Sequence, residues 1–96
     1  MFAREVKRAL RAAHKSGRIF AAQFKQAMRA YTLEGDAASR FWEAAENRVA
    51  ICYRRSFTDR ELVEGLRINW SKLAAWLKEN ILQILAVLLA LLPLFL

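Results

Sequence analysis

From Ala3 to Tyr31 the apolar and small positions keep one rhythm. Ala3, Val6, Leu10, Ala13, Gly17, Phe20, Phe24, Ala27 and Tyr31 are separated alternately by three and four residues. That is a heptad pattern, and it predicts a basic amphipathic helix over residues 1–33 with these residues at a and d. Val6, Leu10, Phe20, Phe24 and Tyr31 supply most of the bulk along this helix seam. Arg4, Arg8, Arg11, Lys15, Arg18, Lys25 and Arg29 all fall at b or f, forming a basic surface on the opposite side, and Lys7 falls at e. The small members weaken the seam: Gly17 costs about 1 kcal/mol relative to alanine inside a helix. The stretch "HKSGR" therefore offers an alternative, two shorter helices divided at Gly17.

The rhythm stops at "TLEGDAAS" (32–39). Gly35 can supply a left-handed helix end there, and Asp36 can cap the next helix. A second amphipathic helix is expected within 36–57, from about Ala37 to Arg55, with Phe41, Ala45, Val49 and Cys52 on its inner face. Thr58-x-x-Glu61 is a capping-box spacing ahead of Leu62. The stripe Leu62, Val63, Leu66, Trp70 and Leu73 then predicts a third helix, continuous from about Asp59 to the C-terminus, with a bend at Gly65 or Asn69. Residues 58–72 are expected to be its cytoplasmic start.

The chain closes on "ILQILAVLLALLPLFL", uncharged from Ile81 to Leu96. Sixteen helical residues reach about 24 Å, short of a hydrocarbon core of ~30 Å. Extended back to Leu73, the segment reaches about 36 Å, enough to cross with tilt. Residues 73–96 are accordingly expected to be a membrane-spanning anchor, with Trp70, Trp76 and Lys78 at the membrane interface. Gln83, Ala86 and Ala90 share a face with small-xxx-small spacing, the candidate surface for packing within the membrane. The competing reading is a buried helix of a soluble complex. Against it stands the absence of a polar face of the kind soluble packing helices keep.

Charge sharpens the picture. The formal net charge is +7, yet residues 1–30 hold eight of the sixteen Lys and Arg and only Glu5 of the nine acids. An excess concentrated in the first third points to an anionic partner: lipid headgroups, an acidic protein face or nucleic acid. Nucleic acid is the least favoured, because no helix-turn-helix, finger or RNA-binding signature is present. The N-terminus has no apolar h-region, so a tail anchor inserted after synthesis is expected. Its Arg-rich composition also fits a mitochondrial transit peptide.

Candidate chemistry changes little. One cysteine, Cys52, and one histidine, His14, provide neither a disulfide framework nor a Cys/His metal site within one chain. No phosphate loop, nucleophile elbow or HExxH helix is present. The expected architecture is all-α: a small antiparallel helical hairpin followed by a C-terminal single transmembrane helix, with no cofactor. The expected role is non-enzymatic, a small subunit, adaptor or assembly factor that holds a protein partner or copies of itself at an anionic membrane surface. The positive-inside rule puts its N-terminus in the cytoplasm, and a bacterial inner membrane is favoured over an organellar one. The alternatives are a holin-like or toxin-like membrane effector, then a membrane-tethered nucleic-acid-binding protein.

Overall fold

A computed structural model describes residues 2–55 and 70–96, with side chains in the second stretch described from Leu73 onward. The described residues are helical with no strand. Helix α1 spans Phe2–Lys15. Its buried stripe is Phe2, Val6, Ala9, Leu10 and Ala13, one face at 3.6-residue periodicity. Glu5 lies in its first turn and Lys15 in its last, each complementing the helix dipole.

The continuous heptad helix is corrected at Gly17, which adopts φ +79°. The Arg18 N–H donates to the Ala13 carbonyl at 2.8 Å and the Gly17 N–H to the His14 carbonyl at 3.1 Å. Those two bonds make a Schellman motif, which satisfies carbonyls that α1 would otherwise leave orphaned. Only a residue without Cβ takes this left-handed position at no steric cost. The backbone turns there, so heptad register does not carry across. Ile19, absent from the seam, is buried, whereas Phe20 is 77% exposed.

Helix α2 spans Ala21–Met28, and a 3-10 turn continues it over Arg29–Thr32. Phe20 is the α2 N-cap in extended conformation, and its N–H donates to Gln23 Oε1 at 3.1 Å. That is the half of a capping box supplied by the third helical residue. Gly35 takes φ +59° and opens α3, Gly35–Arg55. Asp36 lies inside the first turn of α3, not ahead of it, and pairs with Arg40 at 3.1 Å. The inner face of α3 is Phe41, Ala45, Val49 and Tyr53, with Cys52 half-buried beside it.

The predicted start of the third helix, with its capping box and the bends at Gly65 or Asn69, lies outside the described residues. The C-terminal part comprises α4, Trp70–Glu79, and α5, Ile81–Leu91, ending in a 3-10 turn over Leu92–Leu94. A continuous helix to the C-terminus is corrected here: α4 and α5 meet at 85°. The break falls at Asn80, with φ −109° and ψ 25°. Asn80 satisfies the turn locally, its Nδ2 and its backbone N–H both donating to the Trp76 carbonyl at 2.9 Å. No single helix among the described residues is long and apolar enough to cross a membrane.

The bend folds the tail into the body of the protein. Helix α4 packs on α1, and α5 packs against α3, α2 and α1. Among the described residues, eight of the twenty core side chains come from 73–92: Leu73, Leu77, Ile81, Ile84, Leu85, Leu88, Leu91 and Leu92. They meet Val6, Leu10, Phe41 and Val49, the largest fully buried groups of α1 and α3. Phe95 closes one end, edge-on to Phe41 at 5.7 Å.

Candidate functional site

Two surfaces carry chemistry, the outer side of α1 and the outer side of α5. On α1, Arg4, Arg8, Arg11 and Lys15 are all exposed, at spacings of four, three and four. Opposite lies the stripe that packs on α4 and α5. Lys7 joins this group: Arg4, Lys7, Arg8 and Arg11 sit at i, i+3, i+4 and i+7. Each therefore has like-charged neighbours at helical contact spacing, together destabilising α1 by about 1–2 kcal/mol. Among the described residues one acid answers them, Glu5, whose carboxylate is 3.6 Å from Arg8 Nη1.

The four cations, Ala3 and Tyr31 line a groove of about 440 Å³. Tyr31 forms its far wall and is held in place, its hydroxyl donating to the Ala3 carbonyl at 2.7 Å. Lys7 Nζ lies 5.1 Å from the Tyr31 ring centroid, a cation–π contact. Burial pushes the Tyr31 phenol well above its ordinary range, only partly offset by the Arg11 charge. The tyrosine therefore stays neutral at physiological pH and adds no negative charge to the groove. Trp42 stands behind it, 4.8 Å from Tyr31 and 6.3 Å from Phe2 between ring centroids.

The remaining basic residues do not belong to this face. Arg18 reaches across the fold, its guanidinium donating to the carbonyls of Lys78 at 2.6 Å and Glu79 at 3.3 Å. It caps the C-terminal end of α4, where a cation is favourable. Lys25 and Arg29 are exposed on α2 and the turn after it. Of the seam residues, Val6 and Leu10 are buried, Phe24 and Tyr31 half-buried, and Phe20 is exposed. Phe24 stacks on His14 at 4.5 Å with the rings 6° from parallel.

The outer face of α5 is unusual for a packed helix. Leu82 is 55% exposed, Gln83, Ala86 and Ala90 are exposed beyond it, and in the turn that follows Pro93 is exposed and Leu94 75% exposed. Gln83 is the one polar residue of that face. Of the expected interfacial residues, Trp76 is half-buried edge-on to Tyr53 at 5.3 Å, and Lys78 is exposed. The Trp70 side chain lies outside the described residues.

Lys7 is missing from the expected basic face because a heptad register assigns it to the flank. Its spacing from Arg4 and Arg11 is the signal that could have placed it there. No group of three or more His, Cys, Asp or Glu among the described residues is placed to hold a metal ion. No protein-family model, curated protein or solved structure matches this chain.

Proposed function

We propose that this chain is a non-enzymatic, membrane-associated interaction protein, a small subunit or adaptor held at an anionic bilayer by its C-terminal helices. The observation that carries the reading is the outer side of α5 and of the residues that follow it, apolar where the protein leaves them uncovered. Soluble packing helices place charges there. Leu82, Leu94 and Leu96, 55%, 75% and 59% exposed, would together contribute about 3–6 kcal/mol if fully covered by acyl chains. The basic residues of α1 lie on the side of that helix turned away from α4 and α5 and are not counted in that figure.

Two depths of insertion are compatible with this composition. In the shallow form the folded protein lies in the interfacial zone with the outer face of α5 turned to the acyl boundary. In the deep form residues 73–96 straighten into a single-pass anchor, leaving the basic segment on the cytoplasmic side. Leu73–Glu79 and Ile81–Leu94 meet the length and composition of a span only as a pair. The deep form must open the 85° bend and exchange eight core side chains from protein to lipid. The shallow form requires neither, and it is the one this geometry supports.

Vesicle flotation tests the reading. The folded protein is expected to float with phosphatidylcholine–phosphatidylglycerol vesicles, and Ala86→Glu with Ala90→Glu to stay behind with unchanged helicity, since both positions are exposed. Failure of the native chain to float, or equal flotation of the variant, would overturn it. Carbonate washing separates the depths: release marks the shallow form and resistance the deep one.

A further inference from the structure

We propose that the groove between α1 and Tyr31 is a binding site for an anion carrying two or more phosphates, held by Arg4, Lys7 and Arg11. Four cations line the groove and, among the described residues, Glu5 answers only Arg8, so three of the charges have no acidic partner there. A lone phosphodiester brings one negative charge and would leave two of them facing each other. Two phosphates within one ligand bring at least two charges and leave at most one of the cations unmatched. The groove volume, about 440 Å³, falls within the range of small-ligand sites, roughly 300–1,000 Å³.

The groove is also built, in a way that an ordinary basic face is not. Lysine is normally a free-swinging charge, but Lys7 is drawn over the Tyr31 ring, and Tyr31 is fixed by its bond to Ala3. Ordering a donor before the ligand arrives reduces what binding costs. The guanidinium groups of Arg4 and Arg11 flank it on the same face and can grip phosphate oxygens in bidentate fashion. Lys25 and Arg29 carry the same charge on another part of the fold and do not line this groove.

That contrast supplies the experiment. The folded protein is titrated with inorganic pyrophosphate and with orthophosphate at about 0.15 M ionic strength, where charges beyond ~8 Å are screened. Two charge-matched variants are compared, Arg4→Gln with Arg11→Gln and Lys25→Gln with Arg29→Gln. All four positions are exposed, and circular dichroism checks that each variant stays helical. Pyrophosphate is expected to saturate at one per chain and to bind tighter than orthophosphate. The groove pair should weaken it by about tenfold or more, and the control pair by less than about threefold. Equal losses in the two variants, or binding that never saturates, would overturn the site.

The source of the phosphates is settled on vesicles of equal phosphate content. Cardiolipin carries two phosphates in one headgroup and phosphatidylglycerol one. Tighter binding to cardiolipin, lost in the groove pair, identifies a lipid; no difference between the lipids identifies a soluble ligand. The lipid form rests on the membrane reading above, whereas the pyrophosphate titration does not. Failure of flotation and failure of the site are therefore told apart.

Discussion

Replacing Leu88 by alanine tests whether the C-terminal helix is part of the folded core. Leu88 is fully buried on the inner face of α5, where that helix packs against α3, α2 and α1. Removing its three outer carbons forfeits transfer free energy and leaves a cavity, together about 2–5 kcal/mol. A chain of 96 residues is expected to have a total stability of about 5–15 kcal/mol. The loss is thus a large fraction of what holds the protein together. With a urea slope of about 1–3 kcal/mol per molar, the midpoint should fall by about 1–3 M. Leu94→Ala is the internal control. That side chain is 75% exposed on the same segment, and its truncation should cost no more than about 0.5 kcal/mol. Both are read by circular dichroism through a urea titration in detergent-free buffer. If the two variants unfold within about 0.5 kcal/mol of each other, the tail does not pack into the body and the bend at Asn80 has no energetic consequence.

Gly17→Ala is expected to destabilise by about 1–2 kcal/mol, because its added Cβ meets nothing within 4 Å and only the left-handed backbone resists. A rise of the melting temperature would instead show that helix continues through this position, where alanine is favoured. Arg18→Gln should cost about 0.5–1 kcal/mol by freeing the last carbonyls of α4, with the deficit shrinking in high salt. Tyr31→Phe should cost about 0.5–1.5 kcal/mol at neutral pH through the lost bond to Ala3. Its pH dependence has a definite sign. The folded Tyr31 pKa is raised, so the native stabilisation is complete below the unfolded value of about 10 and is lost as pH climbs above it. The gap between native and variant urea midpoints should therefore narrow above about pH 10.

Local order along the chain is legible where one residue decides it. Gly35 announces a left-handed turn and takes one, and the spacing of Phe41, Ala45 and Val49 gives the inner face of α3. Gly17 stands out as the weak point of the first segment from sequence alone. What the periodicity does not carry is direction across the break. A three–four rhythm names a face only while one axis persists, so it places Phe20 in a seam that the turn has already left. Ile19 escapes it altogether, since that residue lies between helices where no periodicity applies.

The tail is illegible for a different reason. A helix that is apolar on every side satisfies the composition of a membrane span and that of a core helix equally. Hydropathy reports the free energy of leaving water, without regard to which apolar medium receives the side chain. The choice between them turns on Asn80, a single residue whose amide can hold a sharp bend, and on partners more than thirty residues away in α1 and α3. The basic site is partly visible for the opposite reason: Arg4, Arg8 and Arg11 are local to one helix, whereas Tyr31 reaches them only because the chain reverses at Gly17.

The first helix finds its partners at the far end of the chain. Arg18 grips carbonyls 60 and 61 positions onward, and the stripe of Val6 and Leu10 is covered by segments made later. At about 5–20 residues per second, a ribosome needs about 3–12 s to travel from Arg18 to Lys78. Throughout that interval α1 exists as a nascent amphipathic segment whose apolar side has no cover from α4 or α5. A premature stop before Trp70 would make that condition permanent, leaving a cationic helix of the composition that settles into the headgroup region of any bilayer it meets.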